Sequence, residues 1–354
     1  MDDGPLIVIS DTHFGFKPES KETFQHFIEW LARLETNGSE TIQTLDGGQK
    51  SLKKAQKIIL LGDMFDYLFP RKGDKTTPLR DGFTIFDRLI SLPCEKIYVS
   101  GNHDEEIASY KGTYICSNDF KFDVFHGQYP EDEHRYLKVG NTTYFFLHGY
   151  QFDKALGNDV TRKTLEAWAL LVAASPKLEW WIVPIVFILF LLWLRGDNFI
   201  SLLRNVRSVV AVSLLFIRVV LWIIVGVSVL AWIGRRAQDL WYWIHPDHVR
   251  YDRRSYFDKF IGNAKFIDID GILERPWYKE HKNTIAADVV VFGHTHFPQP
   301  PTRPSNTGKT FVNTGSWVPS EIHQFNTLVY IDEDGPLLLQ WDDKKRKVHQ
   351  LHDE

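Results

Sequence analysis

Five apolar stretches in this chain each stop at a residue that can bind a metal or move a proton. No other feature constrains the fold as strongly. Ile58 to Leu61 runs into Gly62-Asp63, with Asp66 three residues on. Ile7 to Ile9 runs through Ser10 into Asp11-Thr12-His13. Ile97 to Val99 runs through Ser100 into Gly101-Asn102-His103-Asp104. Tyr144 to Leu147 runs into His148-Gly149, and Val289 to Phe292 into Gly293-His294-Thr295-His296. Short apolar runs bounded in this way read as buried strands. Open α/β sheets collect their sites at the carboxyl ends of parallel strands. A lone Gly-Asp is ordinarily a turn or a helix cap; five such ends in one chain define a site.

Imidazole and carboxylate together suit manganese, zinc, iron or cobalt better than magnesium or calcium, which prefer oxygen shells. Two such ions about 4 Å apart can clamp the attacking and leaving oxygens of a phosphoryl group and bring a water's pKa towards ~7. One carboxylate must then serve both ions, and Asp63 is the natural candidate.

The order Asp-x-His, Gly-Asp-x-x-Asp, Gly-Asn-His-Asp, His-Gly and Gly-His-x-His resembles the calcineurin-like metallophosphoesterases, over residues 5–150 and 285–342. The resemblance implies an α/β fold, a four-layer α-β-β-α sandwich. It implies that Asp11, His13, Asp63 and His296 hold one ion, and that Asp63, Asn102, His148 and His294 hold the other. His103 is then the residue that donates to a phosphate oxygen or protonates the leaving group, with Asp104 orienting it and Asp66 in support. Manganese is the expected metal, with zinc, iron or cobalt as alternatives.

Composition adds boundaries. The net charge is -4, from 41 basic and 45 acidic residues, so no nucleic-acid partner is expected. The two cysteines, Cys94 and Cys116, make no disulfide framework and fit a reducing compartment. No basic and apolar leader precedes the first strand, which predicts no secretory signal.

Along the chain, Phe24, Phe27, Ile28, Leu31 and Leu34 repeat at helical spacing and predict a helix on the sheet. Thr36 to Gln56 is polar and reads as an exposed loop whose Lys50, Lys53 and Lys54 are solvated. Arg71 and Lys72, in a loop from Tyr67 to Pro78 near the site, are candidate phosphate-binding residues. A helix is expected from Asp81 to Leu92, and the strand–helix alternation so far suggests a doubly wound layer. From Phe120 to Leu147 short strands with a Gly140-Asn141 turn predict a second sheet. Asn313 to Trp317 reads as a turn beside the site, and Thr327–Ile331 with Pro336–Trp341 as a closing hairpin.

The expected organisation is a catalytic core, 1–150 and 285–354, interrupted by a helical insertion over 151–284. Within it, 180–194 and 209–234 are apolar runs, the second long enough for a bilayer, which needs about 20 residues. Arg218 lies inside the second run, where a charge costs at least ~2.5 kcal/mol in lipid. Three readings stay open: a hairpin that enters or spans a membrane, a hydrophobic lid lying on one, and a hairpin buried in a homo-oligomer. Arg250, Arg253 and Arg254, interleaved with Tyr251, Tyr256 and Phe257, fit either an amphipathic helix or a basic strip on anionic headgroups. An apolar helical insertion at this place resembles the lid of UDP-2,3-diacylglucosamine pyrophosphohydrolases, and the Asn-x-Gly-Ser-Trp turn is similar. This chain has His103 where that subfamily usually has arginine, and its insertion is longer and more hydrophobic. The expected function is hydrolysis of a phosphomonoester or pyrophosphate bond in a lipid-linked substrate, with the lipid bilayer as partner and the catalytic core on its cytoplasmic side. The alternative is a nucleotidase, phosphodiesterase or nuclease on a soluble substrate, with the insertion as an anchor.

Overall fold

The computed structural model describes residues 3–15, 19–67, 76–116, 119–125, 136–152, 269–305, 307–320 and 324–351. By its contacts the chain divides into Met1–Asp159 with Asp258–Glu354, and Val160–Phe257; every described residue belongs to the first unit. The apolar runs 180–194 and 209–234, the basic stretch after them, and Arg71 and Lys72 all lie outside the described residues. Among the described residues no helix is long and apolar enough to cross a membrane.

In chain order the described strands are β1 (Leu6–Ile9), β2 (Ser39–Gln43), β3 (Gln49–Lys53), β4 (Lys57–Leu61), β5 (Glu95–Val99), β6 (Gly112–Ile115), β7 (Lys121–Phe125) and β8 (Tyr136–Val139). They continue with β9 (Thr142–Phe146), β10 (Val289–Phe292), β11 (Gln299–Thr302), β12 (Thr310–Asn313), β13 (Thr327–Asp332), β14 (Gly335–Asp342) and β15 (Lys347–Gln350). The helices are α1 (Glu19–Asn37), α2 (Thr77–Ile90), α3 (Ile269–Leu273) and α4 (Pro276–His281).

One sheet has the order β15-β14-β13-β1-β4-β5-β7-β6, and a second has β11-β12-β10-β9-β8. β1, β4, β5 and β7 run parallel, as do β9, β10 and β12. The five motif strands therefore end at matching edges of two sheets.

Strand residues alternate faces, and here both faces are apolar. Leu6, Val8, Ile59 and Leu61 point into a core shared with Tyr144, Phe146, Val289 and Val291 of the other sheet. Ile7, Ile9, Ile58 and Leu60 point the other way, onto Phe24, Phe27 and Leu31 of α1 and Ile85 and Leu89 of α2. Phe145, Val290 and Phe292 face outward from the second sheet onto Ile272 of α3 and Tyr278 of α4. The layers are helix, sheet, sheet and helix, as expected. Among the described residues helices cover one face of the first sheet, so the doubly wound layer read from strand–helix alternation is corrected: the second sheet occupies the other face.

Apolar side chains on both faces cannot fix register by polarity alone. The β1–β4 register is held beyond the strand ends instead. Asp11 N–H donates to Gly62 O at 3.0 Å, His13 N–H to Asp63 O at 2.9 Å and Phe14 N–H to Met64 O at 2.9 Å. The same bonds that fix register thus place the first two motifs side by side.

Two further expectations change. The segment read as an exposed loop forms the β2–β3 hairpin, with Ile42 and Leu52 buried beneath it. One buried apolar residue per strand leaves too little alternation to read. Its Lys50 is not a solvated cation: Nζ lies 2.9 Å from both Asp332 and Asp334. α2 begins at Thr77, earlier than Asp81, with a proline at its first turn, where a missing N–H does no harm. Gly140-Asn141 does join β8 to β9, and β13 and β14 form the closing hairpin. Both cysteines are free thiols; burial pushes Cys94 up to about 12.

Candidate metal centre

Three of the five motifs leave their strands through a backbone that L-residues resist. Asp11, His13, Asp63, His294 and His296 all have φ between 46° and 67°. Left-handed backbone costs of order 1–3 kcal/mol per residue and persists only where its surroundings enforce it. Five of the eight non-glycine residues with this geometry among the described residues are candidate ligands. The turns are bent so that side chains from adjacent strands converge.

Besides a group of His13, Asp66 and His103, two groups of side chains result. Asp11, His13 and His296 present ligand atoms within 4.8 Å of one another, as do Asp63, His148 and His294. Asp63 stands between them: its Oδ2 is 3.5 Å from His13 Nε2 and 3.2 Å from His148 Nε2. Its Oδ1 accepts the His103 backbone N–H at 2.9 Å, which leaves Oδ2 as the oxygen that faces both groups. Asp11 Oδ1 lies 3.0 Å from His296 Nε2, while its Oδ2 accepts the His294 backbone N–H at 3.0 Å. Each aspartate spends one oxygen on the fold and turns the other inward.

The histidines are oriented from behind. His148 Nδ1 is held by Leu61 O at 2.8 Å and His13 Nδ1 by Asp66 Oδ2 at 3.2 Å, so each directs Nε2 to the centre. Asp11 Oδ1, Asn102 Oδ1 and His148 Nε2 are buried and make no hydrogen bond among the described residues. Buried polar atoms are normally satisfied. Inward carboxylate and amide oxygens and an imidazole nitrogen, around one centre and without hydrogen bonds of their own, fit divalent cations.

Charge tells the same story. Burial alone would raise the Asp11 and Asp63 carboxyls, but neighbouring histidines outweigh it and hold both well below the usual range. Burial would lower His148; Asp63 and Asp11 outweigh it and hold it up at about 9. In the metal-free protein a proton on His148 does the work of a cation. Its folded pKa lies above the ordinary 6.5, so this proton stabilises the metal-free fold fully below about pH 6.5, and the contribution is lost as pH rises through about 9. A metal must displace it. Apparent Mn(II) affinity should therefore rise by about tenfold per pH unit between pH 6.5 and 8.5, with about one proton released. Calorimetric titration in buffers of different ionisation enthalpy measures this; a pH-independent affinity would contradict it.

Asp104, which the sequence assigns to orienting His103, does something else. Its Oδ1 accepts Gly101 N–H and its Oδ2 accepts Met64 N–H, both at 2.7 Å, and the Tyr98 hydroxyl donates to it. It ties the turn after β5 to the turn after β4. Burial, then Asp63, pushes it up to about 6. His103 Nδ1 is held instead by Asp66 Oδ1 at 2.9 Å. Asp66 thus grips two histidines, His13 and His103, one with each oxygen. Neither duty was legible in the sequence beyond its place in Gly-Asp-x-x-Asp.

The predicted turn from Asn313 to Trp317 braces the site. Trp317 N–H and Ser316 Oγ both donate to Asp11 O, at 3.1 and 3.2 Å. The Trp317 ring packs against Phe24 and Phe27 of α1, with centroids 4.7 and 4.6 Å away. Core packing is thereby transmitted to Asp11, the first candidate ligand.

Close approach makes glycine necessary at Gly101. A Cβ there would strike the Asp63 side chain and lie 2.6 Å from its backbone nitrogen. Gly101→Ala should cost about 1–3 kcal/mol by overpacking and should displace the Asp63 carboxylate. Chemical denaturation alongside metal counting checks this; an alanine variant that binds metal normally would refute the packing account.

A sequence model of the calcineurin-like phosphoesterase family matches residues 4–195, more than half of the chain. No curated protein matches it. Among solved structures, the chain is similar to a single mutant of Vps29 from Entamoeba histolytica, at 12% identity and a TM-score of 0.37, over 99% of this chain and 100% of that one. It is also similar to YfcE, a phosphoesterase from E. coli, at 13% identity and a TM-score of 0.38, over 98% and 96%. Phosphopantetheinyl hydrolase PptH from Mycobacterium tuberculosis aligns at 13% identity and a TM-score of 0.27, over 88% and 89%.

Proposed function

Because this chain belongs to the calcineurin-like phosphoesterase family and is a metal-dependent phosphoric ester hydrolase, we propose that it cleaves a phosphomonoester or pyrophosphate bond in a lipid-linked, membrane-located substrate. One observation carries the lipid part. The two apolar runs, 180–194 and 209–234, sit in sequence between the His148 and His294 motifs. The layout resemblance to the UDP-2,3-diacylglucosamine pyrophosphohydrolases supports the same substrate class. The catalytic core would stand on the cytoplasmic face.

In this reading Asp11, His13, Asp63 and His296 hold one divalent ion, and Asp63, Asn102, His148 and His294 the other. Bound there, the ions supply Lewis acidity and an activated water. His103 donates a proton to the departing oxygen, and Asp66 keeps its ring turned for that task. The buried aspartates keep the centre negative, which favours a metal pair over a bound anion until the metals are in place.

The test is turnover of the purified full chain on a panel of lipid phosphates and lipid pyrophosphates beside nucleotides and cyclic nucleotides. The proposal expects at least tenfold preference in kcat/KM for the lipid set, lost on deleting residues 178–236, with small phosphate esters still cleaved. Equal or better turnover of nucleotides, unaffected by the deletion, would overturn it.

A further inference from the structure

The segment between the two histidines of the last motif has its own support, independent of what the substrate is. His294 and His296 are both left-handed, with φ of 67° and 61°, so the backbone reverses twice within three residues. Thr295 lies between them. Its N–H turns back to Gly293 O at 2.8 Å. Its Oγ1 accepts from Phe297 N–H at 3.3 Å and from Asn313 Nδ2 at 2.6 Å. Asn313 is fully buried at the end of β12, the strand parallel to β10. Its Oδ1 accepts Gly315 N–H at 3.0 Å, so the amide cannot turn over without losing both bonds. One side chain therefore joins the turn that braces Asp11 to the loop that carries two candidate ligands.

We propose that Asn313 and Thr295 form a positioning pair that holds the His294–His296 segment in the strained backbone which aims its two imidazoles at separate metal positions. Neither residue touches the reacting atoms. Their effect passes through His294, grouped with Asp63 and His148, and His296, grouped with Asp11 and His13. Left-handed backbone relaxes when its enforcing contacts go, and a relaxed loop would withdraw one ligand from each group at once. Supporting contacts behind metal ligands are typically worth about 10–100-fold in metal affinity.

The experiment uses two isosteric comparisons on the full chain, with Mn(II) alone as probe. Thr295→Val removes the acceptor and keeps the shape; Thr295→Ser keeps the acceptor and removes the methyl. Asn313→Leu removes the donor to Thr295 together with the acceptor for Gly315 N–H; Asn313→Asp still accepts from Gly315 N–H and lets the Thr295 hydroxyl donate in its place. Affinity is read by calorimetry, and the coupling between ions by the Mn(II) electron paramagnetic resonance spectrum. Thr295→Val and Asn313→Leu should each lose about tenfold or more in affinity, with weakened coupling. Thr295→Ser and Asn313→Asp should stay within about threefold of the parent. A role in packing alone gives the opposite order, with Ser impaired and Val unaffected, and would overturn the proposal. So would four variants indistinguishable from the parent. If Thr295→Val fails to fold, the Asn313 pair decides alone, because Asp keeps asparagine's volume and Leu its branched shape. Substrate identity does not enter, so this inference and the lipid reading can fail separately.

Discussion

Asp63→Asn should lower phosphoester turnover by roughly 10³-fold or more, about 4 kcal/mol of barrier, and should lower the number of bound ions as well. The reason lies in how the carboxylate is divided. One oxygen accepts the His103 backbone N–H at 2.9 Å, and the other faces His13 Nε2 and His148 Nε2 at 3.5 and 3.2 Å. An amide has one acceptor and one donor group. If its oxygen stays with His103, its NH₂ points into the centre, where a cation belongs. If it turns over, the NH₂ meets the His103 N–H. Either way the centre loses a negative charge that holds His148 up, and it cannot keep both the inward oxygen and the bond from His103 N–H. Activity on a small phosphate ester, with metal counted in the same sample, gives the result. Full turnover with both ions retained would show that Asp63 is not the shared ligand.

The second large effect separates two neighbouring carboxylates. Asp66 holds Nδ1 of both His13 and His103, at 3.2 and 2.9 Å. Asparagine can accept from one of them only. The other ring would face an NH₂ group, move its proton to Nε2, and lose the lone pair or the orientation it needs. For Asp66→Asn we expect a fall of about 10²–10⁴ in kcat on esters with poor leaving groups. The loss should be much smaller on p-nitrophenyl phosphate, whose leaving group needs little help from an acid. Asp104→Asn should behave differently. It sets an NH₂ against either Met64 N–H or Gly101 N–H and breaks that bond, lowers stability, and affects good and poor leaving groups alike. A leaving-group-dependent loss in Asp104→Asn and none in Asp66→Asn would reverse the roles derived from the geometry.

That contrast shows where sequence reading runs out. Asp104 follows His103 directly, so adjacency suggests that it orients the ring. In a tight turn successive side chains diverge, and Asp104 turns back to Gly101, Met64 and Tyr98. Asp66 is 37 residues from His103 in sequence yet in hydrogen-bond contact with it. Which carboxylate meets which imidazole depends on strand order, since β4 and β5 are neighbours, and composition or spacing does not encode that. The positions of the candidate ligands were legible because each follows an apolar run, and parallel strands bring such ends to one edge. The core was legible for the same reason: both faces of β1 and β4 are apolar because both are covered.

The β2–β3 hairpin was not legible. Its two strands carry one buried apolar residue each, Ile42 and Leu52, among polar residues that the neighbouring elements satisfy. Lys50 looked like a solvated charge and is in fact paired with Asp332 and Asp334, some 280 residues away. Trp30 also escaped the helical pattern. It is fully buried, yet its indole nitrogen reaches Glu40 at 2.6 Å, joining α1 to the hairpin. Long-range polar pairing of this kind leaves no periodicity behind.

The central claim is that the five strand ends build one centre for two divalent ions around Asp63. The most direct measurement is a count of Mn(II) bound by metal-stripped full-length protein, made with the parent, His148→Ala and His296→Ala. The account predicts two ions per chain in the parent. His148→Ala should empty the position built on Asp63, His148 and His294, and His296→Ala the one built on Asp11, His13 and His296, so each variant keeps at most one tight ion. Two tight ions in both variants, or none in the parent, would contradict it.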